Sequence, residues 1–146
     1  MVFPTINRSM GEKGFGVFKN VSGTVVTAGY PAVLDTTATL IDGNRVTKPS
    51  TAALSLVIGI LSSPAALAVD DYGKFQTYGY NQSAFVTNNT SVAVAAGDIL
   101  VTVDAQWYMA RSAAGTGTSG LIMAAEAFAT GTTPAAANKK VFIRAL

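Results

Sequence analysis

Asp98 and Asp104 are the side chains that could act as an acid and base pair, the arrangement that hydrolyses glycosidic bonds. Their spacing in the sequence gives no support for two carboxyl groups facing one bond. The chain has no His and no Cys, so the usual proton-transfer group near neutral pH and the thiol nucleophile are both absent. With only eight Asp and Glu among 146 residues, the sequence favours binding surfaces over a catalytic pocket, and we predict that the protein is not an enzyme.

Two other short motifs could bind an ion or a phosphate. Asp70 and Asp71 offer adjacent oxygen ligands, but calcium needs about six to eight oxygens and no further ligands surround this pair. The glycine-rich run from residue 11 to residue 17 has Lys13 where a nucleotide-binding loop needs its middle glycine. Asp98 follows Gly97 in a predicted turn, where its carboxylate is expected to accept backbone hydrogen bonds. We therefore predict no metal site and no cofactor.

The aromatic residues could form a binding face. Trp107 and Tyr108 are adjacent, and Tyr80 lies in a β-prone run. Such side chains in strands usually pack in a core or across a subunit interface, which is the interpretation we favour for an oligomer or partner contact. The alternative is a sugar-stacking face on a carbohydrate-binding β module of a virion or cell surface. The ten Lys and Arg form no cluster beyond Lys139 and Lys140, so no nucleic-acid partner is predicted.

The composition indicates a protein that associates. Hydrophobic residues make up 49% of the chain, charged residues make up 12%, and the mean hydropathy is +0.37, whereas about a quarter of the residues of an ordinary soluble domain are charged. Part of this apolar surplus is expected to be buried between subunits. The uncharged run from Thr51 to Val69 is interrupted by Ser55, Gly59 and Pro64, so we predict a buried strand and a turn there and no membrane partner. The first residues lack a secretory signal, which predicts synthesis in a cytoplasm.

The elements that position these residues are predicted to be short strands. Runs rich in Val, Ile, Thr, Tyr and Phe alternate with turn residues, which favours a mainly β fold with one small domain, either a sandwich or a barrel. The exception is Leu121 to Thr130, whose Ala, Met and Glu content also fits one short helix. The predicted strands are Gly23 to Thr27, Ala32 to Asp35, Leu56 to Leu61, Lys74 to Tyr80, Ala84 to Thr87, Ile99 to Val103 and Val141 to Ile143.

The first nineteen residues are predicted to form an extended N-terminal arm, and residues 20–146 the β domain. The arm combines basic and apolar residues with several glycines, a composition that can dock on a partner in an extended form. The equally supported alternative is a first strand with a frayed start. If the segment is an arm, its partner-binding residues are Phe3, Ile6, Arg8, Lys13, Phe15 and Phe18.

A weak internal similarity connects the two halves of the chain. Asn20 to Val33 and Asn88 to Val101 share an initial Asn, a central Val, an Ala-Gly pair and a final Val. Its physical interpretation is two similar units of strand, glycine turn and strand. A biased composition gives such a match by chance as well, so the sequence does not by itself establish a duplicated fold.

Several short segments follow one another in a particular order along the chain: Val57-Ile58-Gly59-Ile60, Gly73 to Gly79, Ala96-Gly97-Asp98-Ile99-Leu100, Gly120 to Ala127 with the acid Glu126, and Val141 to Leu146 around Arg144. The order of these segments resembles the capsid cement, or decoration, proteins of tailed bacteriophages. The resemblance runs from about Asn20 to the C-terminus and does not include the arm. Loop residues 115–118 and the Ala-rich residues 134–137 depart from the family's pattern.

This resemblance implies a structural protein of the virion. Members of the family bind, often as homotrimers, to the outer surface of the capsid where subunits of the major capsid protein meet, and they stabilise the mature head. The expected partners are therefore the major capsid protein and further copies of this chain. The arm would be the natural segment to order against the capsid.

Overall fold

The computed structural model describes residues 12–37, 43–51, 56–88, 93–112, 122–130 and 135–145. These residues form a single mainly β domain, which confirms the predicted fold class. The strands are β1 (Gly14–Asn20), β2 (Pro31–Leu34), β3 (Arg45–Thr47), β4 (Val57–Leu61), β5 (Tyr72–Thr87), β6 (Ile99–Thr102), β7 (Met109–Arg111), β8 (Ile122–Ala124) and β9 (Ala136–Arg144).

The sheet closes on itself twice, and strand β5 belongs to both closures. The first ring follows the order β1, β3, β2, β4 and β5, and β5 pairs back onto β1. The second ring follows β5, β7, β6, β8 and β9, and β9 pairs back onto β5. We name these rings barrel 1 and barrel 2. Of the two predicted architectures, the structure is therefore barrel-like, with two five-stranded barrels that share one strand.

The two barrels repeat the same strand pairing. In each, the first strand is parallel to the third, while the second strand is antiparallel to both the third and the fourth. The register of the second and fourth strands agrees as well, because Pro31 lies opposite Ile60 in barrel 1 and Ile99 lies opposite Met123 in barrel 2. The weak similarity between the two halves of the sequence therefore reflects a duplicated architecture.

The shared Asn of this similarity anchors the same loop in each barrel. The Asn20 side chain is fully buried, and its amide donates to the carbonyls of Thr24, Leu67 and Ala68 at 2.8, 3.3 and 3.1 Å. The Asn88 amide donates in the same way to the carbonyl of Ala129 at 2.9 Å. A carbonyl buried without a partner is costly, so each Asn amide stabilises the loop that follows the fourth strand of its barrel.

Equivalent residues fill the two cores. One buried cluster belongs to barrel 1, and the second contains the interior of barrel 2. Bridges between single residues, Val26 with Leu67 and Val94 with Phe128, close the same end of each barrel. The core of barrel 1 consists of Phe18, Val26, Ala32, Val46, Leu61, Leu67 and Phe75, and the corresponding positions of barrel 2 are Val86, Val94, Leu100, Met109, Ala124, Phe128 and Val141.

Side chains on the outer side of barrel 1 are also buried where they belong to strands β2 and β4. Val33 and Ile60 are fully buried, and they belong to the cluster of barrel 2, whereas their neighbours Ala32 and Leu61 belong to the core of barrel 1. Because successive side chains of a strand point to opposite faces, strands β2 and β4 are covered on both sides. Barrel 2 thus packs against the outer wall of barrel 1.

Some sequence expectations differ from the structure. Residues 122–130 contain strand β8 and the bridging residue Phe128 where a short helix was the alternative. Pairing of β8 with β6 and β9 decides the conformation against local helix propensity. Gly23 to Thr27, expected as a strand, contributes only the single bridge at Val26. The two strands expected at residues 74–80 and 84–87 are one continuous strand, β5.

Residues 14–20, assigned by the sequence to the arm or to a first strand, form strand β1. Strand β1 pairs with β5 from Gly14 to Lys19 and with β3 at Lys19 and Asn20. Phe18 is a core residue that packs edge-to-face on Phe75, with ring centroids 5.9 Å apart. Phe18 is therefore not available as a partner-binding residue. The earlier part of the predicted arm, residues 1–11, lies outside the described residues.

Replacing Asn20 with Ala should destabilise the protein by about 2 kcal/mol or more, because buried carbonyls lose their donor. Urea unfolding followed by circular dichroism measures this change. Gln82→Ala, at an exposed position of the shared strand, is the control and should change stability little. Equal stability of both variants would contradict the anchoring role of Asn20.

Gly29→Ala should cost more stability than Gly23→Ala. Both glycines have positive φ, +87° and +73°, so both variants carry a similar backbone penalty of about 1 kcal/mol. A Cβ at Gly29 would clash with the carbonyl oxygen of Ser83, while a Cβ at Gly23 meets nothing within 4 Å. We expect an additional loss of about 2 kcal/mol for Gly29→Ala. A thermal unfolding comparison tests this, and identical midpoints would contradict close packing between the barrels.

Candidate interaction surface

Apart from the core residue Phe18, the residues of the predicted arm that were expected to bind a partner fall into two groups, those outside the described residues and those exposed at the start of β1. Phe3, Ile6 and Arg8 lie outside the described residues. Lys13 and Phe15 are exposed at the start of β1, and the Lys74 ammonium lies 4.0 Å from the centroid of the Phe15 ring. This cation–π contact holds Phe15 on the outside of barrel 1.

Lys13 borders a shallow cleft of about 300 Å³ beside the shared strand. Its floor carries a pair of buried amides, because Asn81 donates to the Gln76 side chain at 3.0 Å and the Gln76 amide donates to the carbonyls of Tyr78 and Tyr80. These amides already have partners within the protein. The buried amide pair in the floor of the cleft is therefore satisfied within the protein.

The outer side of β1 and the first part of β5 form one exposed surface, which we call the β1 face. Val17 and Tyr72 are among its most exposed apolar side chains, at 61% and 66%. Lys19 lies opposite Tyr72 and forms an ion pair with Asp70 at 2.8 Å. The β1 face consists of Phe15, Val17, Lys19, Tyr72 and Lys74.

A second exposed surface crosses four strands of barrel 2. Ile99 lies opposite Met123, Met123 opposite Phe142, and Phe142 opposite Tyr80. Ile99 and Met123 are 40% and 42% exposed, and Tyr78 packs edge-to-face on Phe142 at 5.8 Å. We call these residues, Ile99, Met123, Phe142, Tyr80 and Tyr78, the Met123 row.

The three aromatic residues predicted to form one face do not share ring contacts. Tyr80 belongs to the Met123 row. Trp107 stacks on Tyr30 of barrel 1, with centroids 5.6 Å apart and planes 16° apart, and Tyr30 also contacts Phe85 at 5.3 Å. Trp107 therefore joins the two barrels within the chain. Tyr108, the residue after it, is half-buried. One face of the indole is occupied by Tyr30.

The carboxylates considered for catalysis have structural partners or lie apart from any pocket. Asp98 accepts from the Ala95 N–H at 2.7 Å, which confirms its predicted turn role, and pairs with Arg111 at 2.9 Å. Asp104 is exposed in the turn before β7. Glu126 accepts from the Lys140 N–H at 3.0 Å, and this hydrogen bond is the main cause that lowers the pKa of Glu126.

Among the described residues, Asp35 is the acidic residue whose side chain is buried. The Thr37 hydroxyl donates to it at 2.6 Å and Arg45 lies 3.4 Å away. The hydroxyl of Thr37 is the main cause that lowers the pKa of Asp35 below 3.8, while burial opposes this change and Arg45 reinforces it. This cluster fixes the end of β2 against β3.

Within the described ranges, no three or more acidic side chains come together in a group that could hold a metal ion. In the same part of the chain, no helix is long and apolar enough to cross a membrane. No family model matches this chain, and no curated protein matches it.

Sequence reasoning missed most residues of the two exposed surfaces. Val17, Ile99, Met123 and Phe142 are apolar, and apolar residues in strands were taken to face a core. The available signal was alternation in Val141 to Arg144, where Phe142 and Arg144 share one face and the two β-branched residues share the other. Only strand pairing shows that these outward residues form rows.

Lowering the pH should remove the stabilisation that Asp35 provides. The folded pKa is depressed, so this stabilisation is present above the unfolded pKa of about 3.8 and is lost as the pH falls through the folded value. We expect Asp35→Asn to be less stable than the wild type at about pH 7 and the difference to shrink below about pH 4. Urea unfolding across this pH range measures it. A stability difference that does not depend on pH would contradict the assignment.

Proposed function

We propose that this protein is a capsid cement protein that binds between major capsid subunits on the outer surface of a virion and stabilises the mature head. The observation that carries the proposal is that apolar side chains lie in organised exposed surfaces, the β1 face and the Met123 row, on a closed β scaffold. Large apolar patches on a folded domain mark sites of protein association. The order of sequence segments that resembles the decoration proteins supports the same assignment.

The physical mechanism is linked binding. A protein that binds only the expanded capsid lattice stabilises that lattice by its own binding free energy, and many copies on one shell add their effects. Such a role needs a rigid domain with exposed surfaces that bind other proteins, and it needs no catalytic groups. The shared-strand architecture supplies the rigid body, because each barrel is braced by the other.

The capsid contact in this proposal is made by the N-terminal segment and continues through Lys13. Phe3, Ile6 and Arg8 precede the first described residue, and Lys13 projects from the surface where β1 begins. An extended segment of this composition can add to the edge of a partner's sheet or fill apolar pockets between subunits. The proposal also includes self-association, for which the resemblance implies a homotrimer.

Deleting residues 1–11 should abolish co-sedimentation with capsids and leave the domain folded, because strand β1 is kept. A deletion through residue 19 would remove β1 and Phe18 and would report on folding instead. Lys13→Glu should weaken capsid binding by about tenfold, and Lys48→Glu is the control with the same change of charge. Binding measured by co-sedimentation with mature heads of the virus that encodes the chain is the readout.

Unchanged binding of the shortened chain would exclude the arm as the capsid contact. Failure of the wild-type protein to bind mature heads at all would overturn the proposed function itself.

A further inference from the structure

The two barrels of the internal repeat differ in how one equivalent surface is covered. The surface is packed against the other barrel in barrel 1, and it is exposed in barrel 2, where we call it the open end. In barrel 1, Pro31 of β2 lies opposite Ile60 of β4, and both are buried. In barrel 2, the equivalent residues are Ile99 and Met123, which lie opposite each other in the same register and are exposed. The surface that barrel 1 uses to pack against barrel 2 is thus present again on barrel 2, where no described residue of the chain covers Ile99 and Met123 in the same way.

The equivalence rests on hydrogen bonds as well as on register. The Gly29 N–H donates to the Leu61 carbonyl at 2.9 Å, and the Gly97 N–H donates to the Ala124 carbonyl at 2.8 Å. Gly29 is buried against Ser83, whereas a Cβ at Gly97 would meet nothing within 4 Å. The two turns have the same backbone geometry, but only the first is in contact with another barrel.

The contact between the barrels also defines what would cover the open end. The Phe85 N–H donates to the Gly29 carbonyl at 2.8 Å, and the Phe85 ring contacts Tyr30. The residue of barrel 1 equivalent to Phe85 is Val17, since Val17 precedes Asn20 by three residues as Phe85 precedes Asn88. Val17 is 61% exposed. The partner surface needed by the open end of barrel 2 is therefore the β1 face.

Strand β1 also has an open edge at this position. The Lys19 N–H donates to the Asn44 carbonyl on the side of β3, and alternate N–H groups of a strand point to the same side. The Val17 N–H therefore points to this side too. Among the described residues, β3 pairs with β1 only at Lys19 and Asn20, so within this part of the chain no strand pairs with the edge of β1 before Lys19.

We propose that the Met123 row and the adjoining Gly97 turn of one copy bind the β1 face of a second copy of this chain. The contact reproduces between copies the packing that joins barrel 1 to barrel 2 within a copy, with the Val17 N–H donating to the Gly97 carbonyl of the neighbour. Because the two surfaces differ, the contact is head-to-tail and generates either a closed ring or a filament. This inference is argued from the internal repeat, and it uses the two exposed surfaces on which the proposed function rests to specify the self-association that the function includes.

Met123→Glu and Gly97→Ala test the contact from two directions. Met123→Glu places a charge in the row, and Gly97→Ala adds a methyl group where the neighbour's backbone would lie. Each variant should weaken self-association by about tenfold or more. The matched controls are Val25→Glu, at an apolar position 53% exposed, and Gly23→Ala, at a glycine with positive φ and no neighbour. Both controls should keep the wild-type assembly.

Sedimentation velocity over a concentration series gives the mass, and circular dichroism confirms that each variant is folded. The wild type should sediment as a multiple of the 15.0 kDa chain, and the two test variants should dissociate toward the monomer. A monomeric wild type, assembly unchanged in both test variants, or equal dissociation of the controls would each overturn the inference. Loss of capsid binding by Met123→Glu with its mass unchanged would assign the row to the capsid and also overturn it, while leaving the proposed function intact.

Disulfide trapping distinguishes a head-to-tail contact from a two-fold one. The chain has no Cys, so Val17→Cys and Asp98→Cys each introduce a single thiol, at the positions equivalent to Phe85 and Tyr30. Oxidation of a mixture of the two variants should give crosslinks between residues 17 and 98, identified by peptide mass. Crosslinks only between identical positions would overturn the proposed geometry.

Discussion

The sharing of strand β5 by two barrels is the constraint on which the rest of the structure depends. Each barrel needs five strands to close, and only nine are present among the described residues. The pairing of β1 with the first half of β5 closes barrel 1, and the pairing of β9 with β5 closes barrel 2. Closure pairs strand edges of the kind that make isolated sheets aggregate, apart from the edge of β1 before Lys19. The barrels are therefore one cooperative body despite having two cores.

This arrangement explains how a chain with so few charges can present apolar surfaces in a controlled way. Side chains of the strands alternate between a barrel interior and the outside. In barrel 1 the outer side of strands β2 and β4 is covered by barrel 2, as the buried Ile60 shows, while in barrel 2 the equivalent Met123 is exposed. The apolar surplus seen in the composition is thus divided between two cores, one internal contact and two exposed surfaces.

The sequence was sufficient for the fold class and for most strand positions, because alternation and turn residues are local signals. It was not sufficient for β8, where Ala and Met favour a helix and only pairing with β6 and β9 stabilises the strand. Strand β1 was ambiguous for a related reason. Its glycines argue against a packed strand, yet Gly16 leaves room for the Phe18 ring. In the sequence, the duplication is clearest at Asn20 and Gly29 and at their counterparts in barrel 2, Asn88 and Gly97. An anchoring amide and a positive φ each restrict the residue type at a position, whereas a core position requires only an apolar side chain of suitable volume.

Gly79 lies where β5 changes its pairing partner from β1 to β9, and its φ of +95° is open to glycine alone at low cost. A side chain at this position would clash with the backbone of Glu12. Glu12, the first described residue, therefore lies directly over the junction of the two barrels. A mechanical load applied to Glu12 would pass along β1 into its hydrogen bonds with the shared strand, and through β5 it would reach the strands of both barrels.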